Sequence, residues 1–187
     1  MEPQIGTKLQ PALTPLLASD HLSPLGPGTP RSEFEQTLRA ITPQGLLAPR
    51  PVRDARMASA AIAGLWLRAD FIDRAHEISQ EIETAEGSYW HAIVHRREPD
   101  FDNAKYWFRR VGNHPVYATL APDAKRLAAE NPTDPFAKEL NRPGDWDPCG
   151  FVDLCRRASK NSVGDKLCRL VQQREWELLF AHCVEQA

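Results

Sequence analysis

His91, His95 and Glu98 stand at i, i+4 and i+7. At 100° per residue this spacing puts all three within about a 60° arc of one helix face. His-x-x-x-His is the spacing with which a helix offers two imidazoles to one divalent cation, and a glutamate one turn on can be a third ligand or a general base. His76 or His114 could complete such a set if the fold brings either near. Ala92 follows His91 where the zinc-protease signature needs glutamate, so that chemistry is excluded. The same face has a purely structural use, with both histidines hydrogen-bonded to neighbouring helices and Glu98 paired to Arg97 or Lys105.

The following stretch interleaves Arg96, Arg97, Lys105, Arg109 and Arg110 with Tyr106, Trp107 and Phe108. Basic and aromatic side chains in alternation can hold phosphate or carboxylate and stack on planar groups. Trp107 and Phe108 fall on an apolar stripe, however, which commits them to a core, and nucleic acid is not the expected ligand. Residues 70–86 carry Asp70, Asp73, Glu77, Glu81, Glu83 and Glu86 against Arg74 alone, so much of this basic charge should pair within the chain. Lys105 and Arg109, at i and i+4, are the pair best placed for an anion.

These residues support two readings. The leading one is a helical interaction or ligand-binding module, its groove lined by His76, His91, His95, Arg96, Lys105 and Arg109 with Arg97 beside them, for a protein partner or a small anionic ligand. It expects no cofactor. The rival is a metal-dependent, hydrolase-like enzyme in which His91, His95 and Glu98 hold a divalent metal and Arg96 or Arg109 holds an anionic substrate. Other catalytic patterns are missing: there is no glycine-rich phosphate loop and no G-x-S-x-G. His182 and Cys183 are adjacent and so point about 100° apart on a helix. Cys149, Cys155, Cys168 and Cys183 include no C-x-x-C pair and read as reduced packing residues.

The elements that must position these groups are helical. Apolar residues recur with a helical period and almost no stretch alternates with period two. A Pro-rich arm over residues 1–30 precedes one all-helical domain over residues 31–187. A short helix should pass through Phe34 and Leu38, followed by an extended connector marked by Pro43, Pro49 and Pro51. Residues 52–67 are apolar almost all round and predict a central helix. Phe71, Ala75, Ile78 and Ile82 predict an amphipathic helix ending at residues 84–87. Ser88 is placed to cap the histidine helix, and Ala104, Trp107, Phe108 and Val111 stripe the next, with Gly112 at its end. One or two helices should follow Pro115, then a short one through Phe136 and Leu140, a loop over 143–148, a helix over 151–158, a break at 161–164 and a long terminal helix.

The segments at Asp70-Phe71 and Asp100-Phe101 echo each other, with Ala75 or Ala104 just after each turn. Asp100-Phe101-x-x-Ala104-x-x-x-Phe108 resembles the turn and second helix of tetratricopeptide and Sel1-type repeats, although the first copy is one residue longer and only two copies are present. The run SYWHAIVHRREPDFDNAKYWFRRVGNHP over residues 88–115, with His76-Glu77-Ile78-Ser79-Gln80 before it, resembles an uncharacterised family of bacterial and fungal helical proteins. That likeness covers roughly residues 60–120, with weaker matches around Trp146-Asp147-Pro148 and Glu175-Trp176-Glu177. It implies an all-helical fold and transfers no activity. The fold expected is therefore an all-α bundle with a tetratricopeptide-like helix-turn-helix centre.

At 187 residues, 42% hydrophobic and 26% charged, the chain can bury a core without metals or disulfides to hold it. Its 23 basic and 25 acidic side chains nearly cancel, so no global field draws it to nucleic acid or membrane. The apolar peak over residues 57–67 is 11 residues long, where a bilayer needs about 20. The first thirty residues do not read as a secretory signal, and a cytoplasmic protein is expected.

Overall fold

Prolines and short polar side chains decide where these helices begin. Thr42 accepts the Gly45 N–H at 3.0 Å ahead of Pro43, Asp54 that of Arg56 at 2.8 Å, Thr84 that of Gly87 at 3.2 Å, and Asp100 that of Asn103 at 3.3 Å. The structure, a computed structural model, describes residues 9–161 and 164–187. Its helices are α1 (Thr14–Leu17), α2 (Glu35–Ala40), α3 (Pro43–Leu47), α4 (Ala55–Arg68), α5 (Ile72–Ser79), α6 (Ala85–Arg97), α7 (Phe101–Val111), α8 (Pro115–Glu130), α9 (Ala137–Leu140), α10 (Pro148–Asn161) and α11 (Asp165–Gln186). No strand occurs among the described residues, and none of their helices is long and apolar enough to cross a membrane. The protein is an all-α helical bundle.

Helix α6 runs through the centre, with α5 and α7 as its antiparallel neighbours in sequence and α4 beside it. Helix α11 packs on α4 and α8, and α10 on α7 and α11. Every residue of α6 from Glu86 to Arg97 is buried, including two histidines and two arginines. The apolar α4 is enclosed from Ala60 to Arg68, as its composition predicts, but the centre of the bundle is the more polar helix. Close backbone approach makes this possible. A Cβ on Gly64 of α4 would fall 2.7 Å from Cζ2 of Trp90 on α6, and one on Gly87 would fall 2.1 Å from the Ile82 carbonyl oxygen.

Several boundaries differ from the sequence pattern. The connector expected to be extended contains α3, because Thr42 and Pro43 start a helix there. Helix α5 stops at Ser79, and Ile82 is buried in the turn after it rather than on its stripe. Thr84, not Ser88, caps α6, which gains a turn and leaves Ser88 inside it. Residues 115–130 form one continuous helix through Pro122. The break expected at 161–164 lies partly outside the described residues.

The described part of the arm is held down, and it includes a 3₁₀ turn (Pro11–Leu13) and α1 as well as extended chain. Leu9, Leu13, Leu16 and Leu25 are buried. Arginines grip its main chain: Arg68 donates to the carbonyls of Ser19 at 2.7 Å and His21 at 2.5 Å, Arg97 to Gly26 at 3.1 Å and Pro27 at 3.0 Å, and Arg169 to Leu22 and Ser23. The two echoing turns do different work. Asp70 sits at φ 61°, buried, with its carboxylate taken by Arg97 at 2.6 Å and His21 at 2.9 Å, whereas Asp100 caps α7.

Candidate metal centre

Helices α5 and α6 lie side by side, and this brings His76 of the first against His91 and His95 of the second. Nε2 of His76 lies 2.9 Å from Nε2 of His91, which lies 3.0 Å from Nε2 of His95. One nitrogen from each ring lies within 4.8 Å of the other two. His91 and His95 are buried and His76 is half-buried, so the cluster sits just beneath the surface.

Glu98, the C-terminal cap residue of α6, turns back to the far side of these rings. Its Oε1 lies 2.9 Å from Nδ1 of His76 and its Oε2 lies 3.2 Å from Nδ1 of His95. At His76 this hydrogen bond selects the tautomer with the proton on Nδ1, which leaves its Nε2 lone pair pointing inward, whereas Nδ1 of His95 stands at ion-pair distance without a formed hydrogen bond. The inward lone pair of His76 thus stands beside Nε2 of His91, with Nε2 of His95 on its other side. The His91 nitrogen has a single in-plane position, either a proton or a lone pair. A proton on it makes a full hydrogen bond to one neighbour, and a lone pair on it can accept from Nε2 of His95. A divalent cation satisfies all three nitrogens at once.

The remaining environment favours neutral rings. Burial, with His95 and His76 beside it, pushes the His91 imidazole down to about 3. Burial also lowers His95, with Glu98 opposing. Trp107 of α7 covers His91, its ring stacked at 4.2 Å between centroids and 27° between planes. Nδ1 of His91 is buried and unpartnered among the described residues.

A second cluster, Glu86 with His114 and His182, has a different chemistry. Oε1 of Glu86 lies 3.1 Å from Nε2 of His182 and 3.5 Å from Nε2 of His114. His114 caps α8, where its Nδ1 accepts the Val116 N–H at 3.2 Å. That bond fixes the ring proton on Nε2, facing Glu86, so His114 has no lone pair there to give a cation. The two rings hold the Glu86 carboxyl far below the usual carboxylate range. This cluster is a polar tie between α6, α8 and α11.

The chain is matched by no family model, no curated protein and no solved structure. The site therefore rests on its own geometry.

Of the residues singled out by sequence, the structure brings together His76, His91, His95 and Glu98. Glu98 is turned to the outer ring nitrogens instead of standing with the imidazoles as a third ligand, because it lies beyond the last turn of α6 and its carboxylate curls back. The structural alternative that paired it with Arg97 or Lys105 is also replaced, since Arg97 holds Asp70 and Lys105 reaches Asp153 at 2.5 Å. His114 belongs to the other cluster.

Arg96 and Arg97 are drawn into internal pairs, and the cleft that Arg97 lines is shared with Leu67, Arg68, Gln172 and Trp176, not with the three histidines. Arg96 and Arg97 are both buried, because α6 is central and its last turn faces inward on every side. Arg96 bonds Glu175 at 2.5 Å, and Glu175 accepts the Tyr89 hydroxyl at 3.1 Å. The Arg96 guanidinium lies 4.8 Å over the Phe151 ring. Arg109 is exposed. Of the acidic residues of 70–86, Asp70 pairs with a base of the following helices, while Asp73, Glu77, Glu81 and Glu83 are exposed. Glu86 and His182 carried no sequence signal as partners, being 96 residues apart.

Proposed function

We propose that this protein is a metal-dependent, hydrolase-like enzyme whose centre is a transition-metal ion held by Nε2 of His76, His91 and His95. The observation that carries this reading is the convergence of the three nitrogens, with Glu98 on the outer nitrogen of two of them. Three neutral imidazoles without a thiolate suit zinc and its neighbours in the first transition row. A metal held by three protein ligands keeps a fourth position for water or substrate, and zinc so held lowers the pKa of its water to about 7. Glu98 orients the His76 ring and raises its basicity; it is not the metal's own ligand.

We favour this over the binding-module reading on one observation. Two of the arginines assigned to that groove are buried in internal hydrogen bonds, and Lys105 is paired with Asp153.

The test is elemental analysis of purified, tag-free protein after zinc loading and dialysis, alongside His76→Ala, His91→Ala and His95→Ala. Near-stoichiometric metal is expected in the parent, with loss in each variant. Background metal in the parent, with the protein folded, would end the proposal.

A further inference from the structure

The metal's neighbourhood is asymmetric, and the asymmetry selects a substrate class. Glu98 and Asp100 stand on the side where α6 ends, with Oδ2 of Asp100 3.7 Å from Nδ1 of His95. An anion approaching from there meets two carboxylates. The opposite side is where α5 joins α6. Gln80, the residue that ends α5, lies one turn beyond His76 and Ser88 one turn before His91 on α6, a displacement of about 5 Å along each helix axis. Those two residues line a surface groove together with Ile82, Thr84, Trp107 and Arg110.

Trp107 connects this groove to the metal ligands, because its ring is stacked on His91. Arg110, one turn further along α7, places its guanidinium carbon 5.2 Å from the same ring's centre. Its offset from the His91 ring is then no more than that distance and the 4.2 Å stacking distance taken together. Arg110 forms no ion pair among the described residues; besides the Trp107 and Tyr106 rings it meets only the Tyr106 hydroxyl, in a 3.5 Å hydrogen bond. Arg74, Arg96, Arg97 and Lys105, by contrast, each face a carboxylate. Glu83 is the one carboxylate among the groove residues, and it is exposed.

We infer that the groove between the α5–α6 connection and α7 is the substrate subsite of the metal centre. It takes a small molecule bearing a carboxylate or phosphate, whose oxyanion Arg110 binds while Trp107 carries its apolar or planar part. An arginine fork matches either oxyanion in two-point contact. The substrate extends a few atoms from the metal to reach it. This inference rests on the metal reading, and its test separates the two.

The experiment uses the full chain loaded with cobalt(II), whose visible absorption reports changes in its coordination. Benzoate and inorganic phosphate are titrated separately into the parent, Arg110→Gln and Arg109→Gln. A saturable spectral change is expected with at least one probe, weakened tenfold or more in Arg110→Gln and little altered in Arg109→Gln, with cobalt affinity equal in all three. A benzoate response marks the carboxylate class, and a phosphate response the phosphate class. Cobalt bound with no response to either probe, or a response that ignores Arg110, would overturn the subsite and leave the metal centre standing. Failure to bind cobalt or zinc would overturn both.

Discussion

The carboxylate of Glu98 accepts from Nδ1 of His76 at 2.9 Å, across the seam between α5 and α6. Glu98 belongs to the end of the helix that carries His91 and His95, so the bond ties the imidazole on one helix to the frame of the other two. Its second oxygen stands by His95. One side chain thus orients the His76 imidazole and stands against that of His95.

Replacing Glu98 by Ala should lower zinc affinity about 10- to 100-fold, the usual cost of losing an outer-shell carboxylate. Competition against a chromophoric chelator measures this. An affinity equal to the parent's would show that the rings are oriented without it.

Arg96 and Glu175 form a fully buried ion pair at 2.5 Å. Glu175→Ala strands a guanidinium in the core and should cost about 3 to 5 kcal/mol, whereas Arg96→Met with Glu175→Leu should recover much of the loss. Urea unfolding of the two proteins gives the comparison, and a double variant no better than the single one would count against this account.

Glu86 governs part of the acid response. His114 and His182 hold its folded pKa below the unfolded value of about 4.3, so an unfolded chain binds the proton first. The stabilisation is present above that value and lost as pH falls through it toward the folded pKa. Glu86→Gln should cost about 1.5 to 3 kcal/mol at neutral pH, as for a lost charged hydrogen bond. The gap between variant and parent should narrow toward pH 3 in urea melts. Parallel curves from pH 7 to pH 3 would contradict it.

Gly64 of α4 faces the indole of Trp90, with its carbonyl accepting the Trp176 N–H at 2.8 Å. A methyl there forces the helices apart, so Gly64→Ala should destabilise by about 1 to 3 kcal/mol, the range for overpacked cores. Thermal melting decides it; an unchanged midpoint would mean that Trp90 moves freely.

Much of the fold was legible because it depends on local rules. Helical periodicity, the apolar α4, the Pro-Asp turn before α7 and the stripe through Ala104 and Phe108 are properties of neighbouring residues. Boundaries failed where two polar residues competed for one cap, as Thr84 and Ser88 did, or where a proline began a helix instead of breaking one, as Pro43 did. Trp107 shows the limit of a stripe: its position predicted a core residue, and it is half-buried over an imidazole.

For the site, the sequence by itself determined that His91 and His95 share one helix face, since 3.6 residues per turn put i and i+4 side by side, and that Glu98 follows at the end of that helix. Only tertiary structure decided that His76 rather than His114 completes the cluster, that Glu98 faces the outer nitrogens, and that Arg96 and Arg97 are internal. Those outcomes depend on which helix packs against which. The close approach of Gly64 to Trp90 and the central burial of α6 arise between separate helices, and no periodicity within either one carries that information.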